Sequence, residues 1–197
     1  MKKFLSIFLI LSITFAYAEV AKYPNIEGKI IREIPYNDST GNNMVVLTEN
    51  EWTTYNSEAN GYERNRKIFV YRFNLDTLDD SGMIKREWRI FDYELDCSVD
   101  LTLHFFNKHI QLTDLNRNGI KEVWIPYAKN CAGDISPDER KIIMYEGLQK
   151  YALRGVSNQF FEDNGYRMDK ALQNVPAFSK FAESLWEKIK KADLIND

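Results

Sequence analysis

The chain has 197 residues, of which 28% are charged and 44% are hydrophobic, and its formal net charge at pH 7 is −3. A chain of this length can bury one hydrophobic core, so we expect a single domain. The mild acidity and the lack of a long basic tract exclude the usual electrostatic basis for binding nucleic acid, which is therefore not an expected partner.

The N-terminal segment has the layout of a secretory signal peptide. Two lysines follow the first Met, an apolar run extends from Phe4 to Phe15, and the small-residue motif AYA follows at 16–18. A membrane-spanning helix needs about 20 apolar residues, whereas this run has about a dozen, so an uncleaved membrane anchor is the less favoured alternative. We predict a signal peptide over residues 1–18 and a mature domain over 19–197, exported to the periplasm or secreted, without stable membrane insertion.

Short β-rich runs follow one another along most of the chain. Turn-forming Asn, Asp and Gly residues separate them about every ten residues, as in the segment YNDSTGNN at 36–43. This pattern predicts a meandering antiparallel sheet, with the polar segment Asn50–Arg66 as a long hairpin loop. The predicted strands are Lys29–Ile34, Met44–Thr48, Ile68–Leu75, Ile84–Phe91, Leu101–Phe106, His109–Thr113, Val123–Tyr127, Lys141–Tyr145 and Tyr151–Ser157.

The spacing of apolar residues changes near the C-terminus. After Pro176, apolar positions recur every three or four residues, which places them on one face of a helix. We predict an amphipathic helix over residues 176–191 that packs on the sheet; a helix that binds a partner is the alternative. The predicted fold class is therefore α+β, mainly β. The apolar positions are Phe178, Phe181, Ala182, Leu185, Trp186 and Ile189.

Cys97 and Cys131 are the two cysteines of the chain. In an exported protein an even number of cysteines is most simply read as disulfides. The alternatives are two free thiols or a soft-metal pair, and the lack of a third Cys and of a His close in sequence disfavours the metal pair. Closing a loop of about 35 residues stabilises a fold by about 3.5–4 kcal/mol in the chain-entropy model. A Cys97–Cys131 bridge between neighbouring strands would gather Asp96, Asp100 and Asp134 into an acidic patch at one sheet edge.

The segment DLNRNGIKE at 114–122 is the most specific local pattern. Oxygen-bearing side chains occupy its positions one, three, five and nine, and Gly119 at position six permits a positive φ. Calcium takes six to eight oxygen ligands, which such a turn can supply in large part. Flanking strands and the acid at position nine resemble the calcium loops of FG-GAP-type propeller repeats. The alternative is a metal-free turn. The candidate Ca²⁺ ligands are Asp114, Asn116, Asn118, the Ile120 carbonyl and Glu122.

A second copy of this pattern lies 22 residues earlier, in the segment DYELDCSVD at 92–100. Acidic side chains occupy the same four positions, and Cys97 stands where Gly119 stands in the other segment. Similar apolar residues flank both segments, which suggests a duplicated strand–loop–strand unit, although repeat arrays usually contain at least three units. The candidate ligands of this weaker calcium loop are Asp92, Glu94, Asp96 and Asp100.

Several motifs from Thr113 onward occur together in a fixed order. They are TDLNRNGIKEVW at 113–124, CAGDISP at 131–137, KIIMYEG at 141–147 and KYALRG at 150–155, followed by a Pro-x-Phe helix with Trp186 near its end. This order resembles a family of small secreted bacterial proteins labelled "surface polysaccharide biosynthesis protein". The resemblance covers residues 84–190. It implies an association with surface polysaccharide and provides no catalytic residue.

Export, acidic loops and this resemblance favour a non-catalytic envelope protein associated with surface polysaccharide, which binds a glycan or an assembly partner. The aromatic residues Trp52, Tyr55 and Tyr62 are candidates for stacking on sugars or for simple packing. The first alternative is a secreted module that inhibits a cationic enzyme such as lysozyme, for which acidic loops are suited. The second is a hydrolase with paired aspartates, although no phosphate-binding glycine loop, nucleophile elbow or HExxH motif occurs.

Overall fold

The computed structural model describes residues 23–157, 165–190 and 192, so the predicted signal peptide lies outside the described residues. Within them the chain forms strands, two α-helices and a 3-10 turn at Asn107–His109. The elements are β1 (Lys29–Asp38), β2 (Gly41–Asn56), β3 (Gly61–Leu78), β4 (Ile84–Cys97), β5 (Leu101–Phe105), β6 (Gln111–Thr113), β7 (Glu122–Cys131), β8 (Asp138–Glu146), β9 (Gln149–Ser157), β10 (Tyr166–Met168), α1 (Lys170–Gln173) and α2 (Pro176–Ile189).

The strands form two antiparallel sheets. The first has the order β1-β2-β3-β4, and the second has the order β10-β9-β8-β7-β5, with β6 also paired to β7. This confirms a mainly β, antiparallel fold closed by a C-terminal helix. The meander is divided, however, because the chain leaves the first sheet after Cys97 and enters the second at Leu101.

The main hydrophobic core lies between the inner faces of the two sheets. Alternate residues of each strand point into it, as expected when both sheets have one apolar face. Trp88 of β4 stacks on Tyr145 of β8 with ring centroids 4.3 Å apart. Each large side chain buried in this way contributes about 1.5–3 kcal/mol. The core includes Val45, Leu47, Ile68, Val70 and Ile90 from the first sheet, and Leu103, Phe105, Val123, Ile125, Tyr127, Ile143 and Ala152 from the second.

Helix α2 covers the outer face of the second sheet, as the apolar spacing predicts. Pro176 occupies its first turn, where a missing N–H is not needed. The helix end is held by β8 and β9, because the Arg140 guanidinium donates to the Ile189 carbonyl and the Ser157 hydroxyl donates to the Lys190 carbonyl. The buried residues of this layer are Phe178, Ala182, Leu185, Trp186 and Ile189 from the helix, and Trp124, Ile142, Met144 and Leu153 from the sheet.

The chain before β1 covers the outer face of the first sheet. Tyr23 stacks on Phe73 of β3 with centroids 5.1 Å apart, and the Tyr71 hydroxyl accepts from the Glu27 N–H at 2.9 Å. Val46 and Phe69 complete this third apolar cluster. The first sheet is thus apolar on both faces over its central strands.

The predicted long loop at Asn50–Arg66 is wrong. Strands β2 and β3 stay paired from Asn50↔Lys67 to Asn56↔Gly61, and only residues 57–60 form the turn. The reason is that Trp52, Thr53, Thr54 and Tyr55 form a consecutive run of residues with high strand propensity, which favours a hairpin over a loop. The rings of Tyr55 and Tyr62 meet edge to face across this hairpin, and both remain exposed.

Among the described residues, the longest apolar helical stretch falls short of what crossing a membrane requires.

Candidate functional site

The predicted disulfide is confirmed. Cys97 ends β4 and Cys131 ends β7, with Cα atoms 5.7 Å apart. The bridge therefore joins the two sheets, whereas we had expected it to join neighbouring strands of one sheet. It brings the chain around Asp100 next to Ala132, whose N–H donates to the Asp100 carbonyl at 3.1 Å.

The first predicted calcium loop lies between β6 and β7, so strands flank it as expected. Its polar side chains bond to the backbone of the loop itself: Asn116 Oδ1 accepts from the Asn118 N–H at 3.2 Å, and Asn118 Oδ1 accepts from the Ile120 N–H at 2.8 Å. Gly119 has the positive φ that the turn needs, 82°. The loop is thus shaped by its own hydrogen bonds, in the manner of the metal-free alternative.

Carboxylates nevertheless surround this loop. Asp114 Oδ2 accepts from the Gly119 N–H at 3.2 Å, while Asp114 Oδ1 is buried without a hydrogen-bond partner. Glu146, from the β8–β9 hairpin, accepts from the side-chain amides of Asn116 and Asn118 at 2.5 and 2.7 Å. A half-turn of either amide would present an oxygen in place of the nitrogen.

Glu122, at position nine of the pattern, is fully buried. It accepts from the Thr113 hydroxyl at 2.6 Å and from the Leu115 N–H at 3.0 Å. Across the described residues, three or more His, Cys, Asp or Glu side chains do not assemble into a metal-binding group. The unpartnered oxygen of Asp114 is the feature of this loop that fits a cation.

The second predicted calcium loop is wrong as a loop. Asp92, Glu94 and Asp96 lie within β4, whose pairing with β3 shifts register near Asp96 (φ 56°), and only Asp100 lies beyond its end. The 22-residue offset therefore does not mark a structural repeat. Asp100 instead pairs with Arg64 at 3.6 Å, with its side chain 84% exposed.

Asp92 is bound by cations of the second sheet. Its Oδ2 accepts from Lys141 Nζ at 2.6 Å and from the Tyr127 hydroxyl at 2.9 Å, and its Oδ1 accepts from Lys129 Nζ at 3.3 Å. We call these four residues the Asp92 cluster. Lys129 also pairs with Glu94 at 3.4 Å. Asp92 and Glu94, which the sequence pattern assigned as calcium ligands, thus bind lysine ammonium groups.

Burial disfavours the ionised form of Asp92, but the hydrogen bond and charge of Lys141, the Tyr127 hydroxyl and the Lys129 charge outweigh it. Together they hold the pKa of Asp92 below its usual range. A glycosidase pair needs one carboxylic acid that stays protonated. Asp92 is therefore unsuited to act as a general acid.

Three cations lie side by side on the inner face of the second sheet, next to the Asp92 cluster. Lys141 of β8 is directly opposite Arg154 of β9, which is directly opposite Arg167 of β10. We call these three residues the cationic row. Like charges directly opposite each other destabilise a strand pair, by up to about 1 kcal/mol.

The three residues of the cationic row differ in their ion-pair and hydrogen-bond partners. Lys141 contacts Asp92 and also Glu139, at 3.3 Å. In the part of the chain that the structure describes, the guanidinium groups of Arg154 and Arg167 have no hydrogen-bond or ion-pair partner. Lys150 lies on the same strand face as Arg154; burial and the nearby Arg154 charge lower the pKa of its ammonium group, against the opposing charges of Asp169 and Asp92.

An open groove of about 560 Å³ lies at the Arg167 end of the cationic row, at the sheet edge formed by β9 and β10. We call it the β9–β10 groove. Glu139 is the single carboxylate among its described lining residues, and Tyr166, which is 41% exposed, packs its ring on Trp186. The groove is lined by Glu139, Arg154, Val156, Tyr166 and Arg167, with the backbone of Gly155 and Gly165.

Gly155 sets the shape of this edge. A Cβ atom at this position would lie 2.3 Å from the Gly165 carbonyl oxygen and 2.6 Å from the Trp186 ring. Only glycine therefore lets β10 and helix α2 approach β9 this closely. The position of Arg167 opposite Arg154 depends on this close approach.

Sequence reasoning missed the cationic row, because its members are far apart in the chain. A usable signal exists in the segment EGLQ at 146–149, where Gly147 adopts a positive φ and Glu146 pairs with Gln149. A two-residue hairpin loop at this point fixes the register of both strands. Counting outward from it pairs Lys141 with Arg154.

The fold and the groove define an antiparallel β-sandwich with one helical layer and a positively charged groove at the edge of one sheet. Comparison with family models, with curated proteins and with solved structures gives no match. The resemblance to the surface polysaccharide family and to FG-GAP-type loops therefore stays a prediction.

Proposed function

We propose that this protein is an exported, non-catalytic binding module of the cell envelope, which takes surface polysaccharide into the β9–β10 groove. We further propose that a structural Ca²⁺ holds the β6–β7 loop. The groove supports the proposed polysaccharide binding, whereas the calcium loop contributes only to stability.

The observation that supports polysaccharide binding is the set of side chains around the groove. The guanidinium groups of Arg154 and Arg167 offer N–H donors without described partners, and Tyr166, whose ring packs on Trp186 with centroids 5.5 Å apart, also lines the groove. Sugars are bound by polar groups that converge on a concave surface and by aromatic rings that combine an apolar body with a polar tip. An open groove at a sheet edge also admits a chain that continues on either side.

The test uses the mature protein and polysaccharide isolated from the surface of the producing cell. Binding is measured by isothermal titration calorimetry for the wild type, for Tyr166→Ala and for Arg154→Gln. We expect each variant to lose at least tenfold in affinity. The matched control is Arg89→Gln, an exposed Arg on the outer face of the first sheet that pairs with Glu27 at 3.3 Å. Wild-type protein that binds none of these polysaccharides would refute the proposal.

The calcium part rests on the unpartnered Asp114 oxygen. Asp114, the amides of Asn116 and Asn118, the Ile120 carbonyl and the carboxylates Glu122 and Glu146 are the groups that would hold the ion. A ligand that binds only the folded state raises its stability. We expect millimolar Ca²⁺ to raise the melting temperature of the wild type relative to chelator, and we expect no such rise in Asp114→Ala. Equal shifts in both proteins would place the ion elsewhere.

A second candidate function is inhibition of a cationic enzyme such as lysozyme. It is supported by Asp96, Asp100 and Asp134, which lie in segments joined by the disulfide and are exposed. Co-purification with lysozyme at low salt that is lost in Asp100→Asn, together with no effect of Arg154→Gln, would favour this function over polysaccharide binding.

A further inference from the structure

We propose that the ligand of the β9–β10 groove is an acidic polysaccharide, whose carboxylate or phosphate groups are bound by Arg154 and Arg167. This inference rests on the proposed function, because it names the chemical class of ligand for the same groove. It also predicts which end of the cationic row makes the contact.

The strand register carries the first step. Because Arg154 is directly opposite both Lys141 and Arg167, three cationic side chains leave the same face of neighbouring strands. Neighbouring strands lie about 4.8 Å apart, so the row extends over about 10 Å. Repulsion within such a row weakens the sheet unless an anion lies between the charges.

The second step concerns which charges are already neutralised. Lys141 has Asp92 at 2.6 Å and Glu139 at 3.3 Å. Asp169, the other carboxylate whose charge acts on Lys150, caps helix α1 by accepting from the Leu172 N–H at 2.8 Å. Among the described residues, Asp92 and Glu139 pair with Lys141, whereas Glu139 is the one carboxylate that lines the groove beside Arg154 and Arg167, and it forms an ion pair with neither.

The third step is the chemistry of the two residues at the open end. A guanidinium group binds a carboxylate or a phosphate through two parallel N–H donors, which an ammonium group does not. Two guanidinium groups on adjacent strands, next to an open groove, match acidic groups that recur along a polymer. A neutral glycan would leave both charges unpaired.

The experiment compares three probes: polygalacturonate as an acidic glycan, dextran as a neutral glycan, and inorganic phosphate. Affinity is measured by calorimetry at 50 and at 200 mM NaCl. We expect the wild type to bind polygalacturonate, more weakly at the higher salt concentration, and to bind dextran and phosphate at least tenfold more weakly. Arg154→Gln with Arg167→Gln is expected to lose about 10–100-fold in affinity for polygalacturonate, because each charge-assisted hydrogen bond is strong. Arg89→Gln is the control and should bind as the wild type does.

Each negative binding result would overturn a different part of the proposal. Equal binding of dextran and polygalacturonate would overturn the acidic ligand and leave the proposed function standing. Binding of phosphate as tight as binding of the polymer, without dextran binding, would overturn a glycan as ligand and with it the proposed function. Binding of none of the three probes would overturn the inference, while binding of the native surface polysaccharide would still support the function.

A second measurement does not depend on any ligand. If the row is repulsive, Arg154→Gln raises the melting temperature by about 1–3 °C at low salt, and the rise shrinks at high salt. A lowered melting temperature would show that Arg154 is a structural residue and would overturn the inference.

Discussion

Two charged regions of this protein lie next to each other on the inner face of the second sheet, and they differ in one respect. In the Asp92 cluster, a carboxylate from β4 binds Lys129, Lys141 and the Tyr127 hydroxyl. At Arg154 and Arg167, the structure describes no carboxylate that does the same. The first region is a closed contact between the two sheets, whereas the second is open to solvent. Similar cations therefore pair with protein carboxylates where β4 covers them, and lack such partners among the described residues where it does not.

The largest expected effect comes from releasing β4 from β7. Replacing both cysteines, in Cys97→Ser with Cys131→Ser, should lower the free energy of unfolding by about 3–4 kcal/mol, because the bridge closes a loop with a sequence separation of 34. Urea denaturation measures the loss, and reduction of the wild type should reproduce it. A loss below 1 kcal/mol would mean that the sheets hold β4 without the bridge.

Removing the carboxylate of the Asp92 cluster should cost slightly less. Asp92→Ala leaves two ammonium groups and a hydroxyl without their shared partner, and we expect a loss of about 3 kcal/mol. Asp80→Ala, in the exposed β3–β4 turn, is the matched control and should be neutral. Denaturant melts of both variants at pH 7 make the comparison.

The pH dependence of this loss has a definite sign. The pKa of Asp92 is lower in the folded state than in the unfolded chain, so its contribution is complete above the unfolded value of about 4 and disappears as the pH falls through the folded value. The difference in stability between the wild type and Asp92→Ala should therefore narrow below about pH 4. A difference that stays constant down to pH 2 would contradict the role of the ionised carboxylate.

Crowding the edge of the open region should have the next largest effect. Gly155→Ala inserts a methyl group where the Gly165 carbonyl and the Trp186 ring leave no room, and should cost about 1–3 kcal/mol in unfolding free energy. Gly165→Ala is the matched control, because nothing lies within 4 Å of its Cβ position. Thermal melts distinguish the two, and equal losses would show that β9 and β10 do not need this close approach.

The smallest expected effect comes from two substitutions that directly compare the Asp92 cluster with the open end of the cationic row. Lys141→Gln removes a partner of Asp92 and should lower the unfolding free energy by about 1 kcal/mol. Arg154→Gln, the same loss of charge on the adjacent strand, should raise it by about 0.5 kcal/mol. Changes in unfolding free energy of opposite sign, measured by denaturant melts, would confirm the contrast between the closed and the open region. Changes of equal sign would contradict it.

Much of the fold was predictable because it depends on local patterns. The short β-rich runs predicted antiparallel strands, and the apolar spacing after Pro176 predicted helix α2, which ends at Ile189. The disulfide followed from the count of two cysteines. The candidate site was not predictable in the same way. Asp92 and Glu94 look like loop ligands in sequence, yet they lie in a strand whose cationic partners come from β7 and β8.

The sequence by itself determined the periods of the strands and of the helix, the pairing of the cysteines and the local shape of the Asp114 turn. These depend on neighbouring residues, whose spacing along the chain is also their spacing in space. Only the tertiary structure decided that the meander splits into two sheets, that Asp92 is neutralised by lysines, and that Arg154 faces Arg167. These depend on which strand lies opposite which, and strand register over long separations is set by the packing of whole faces.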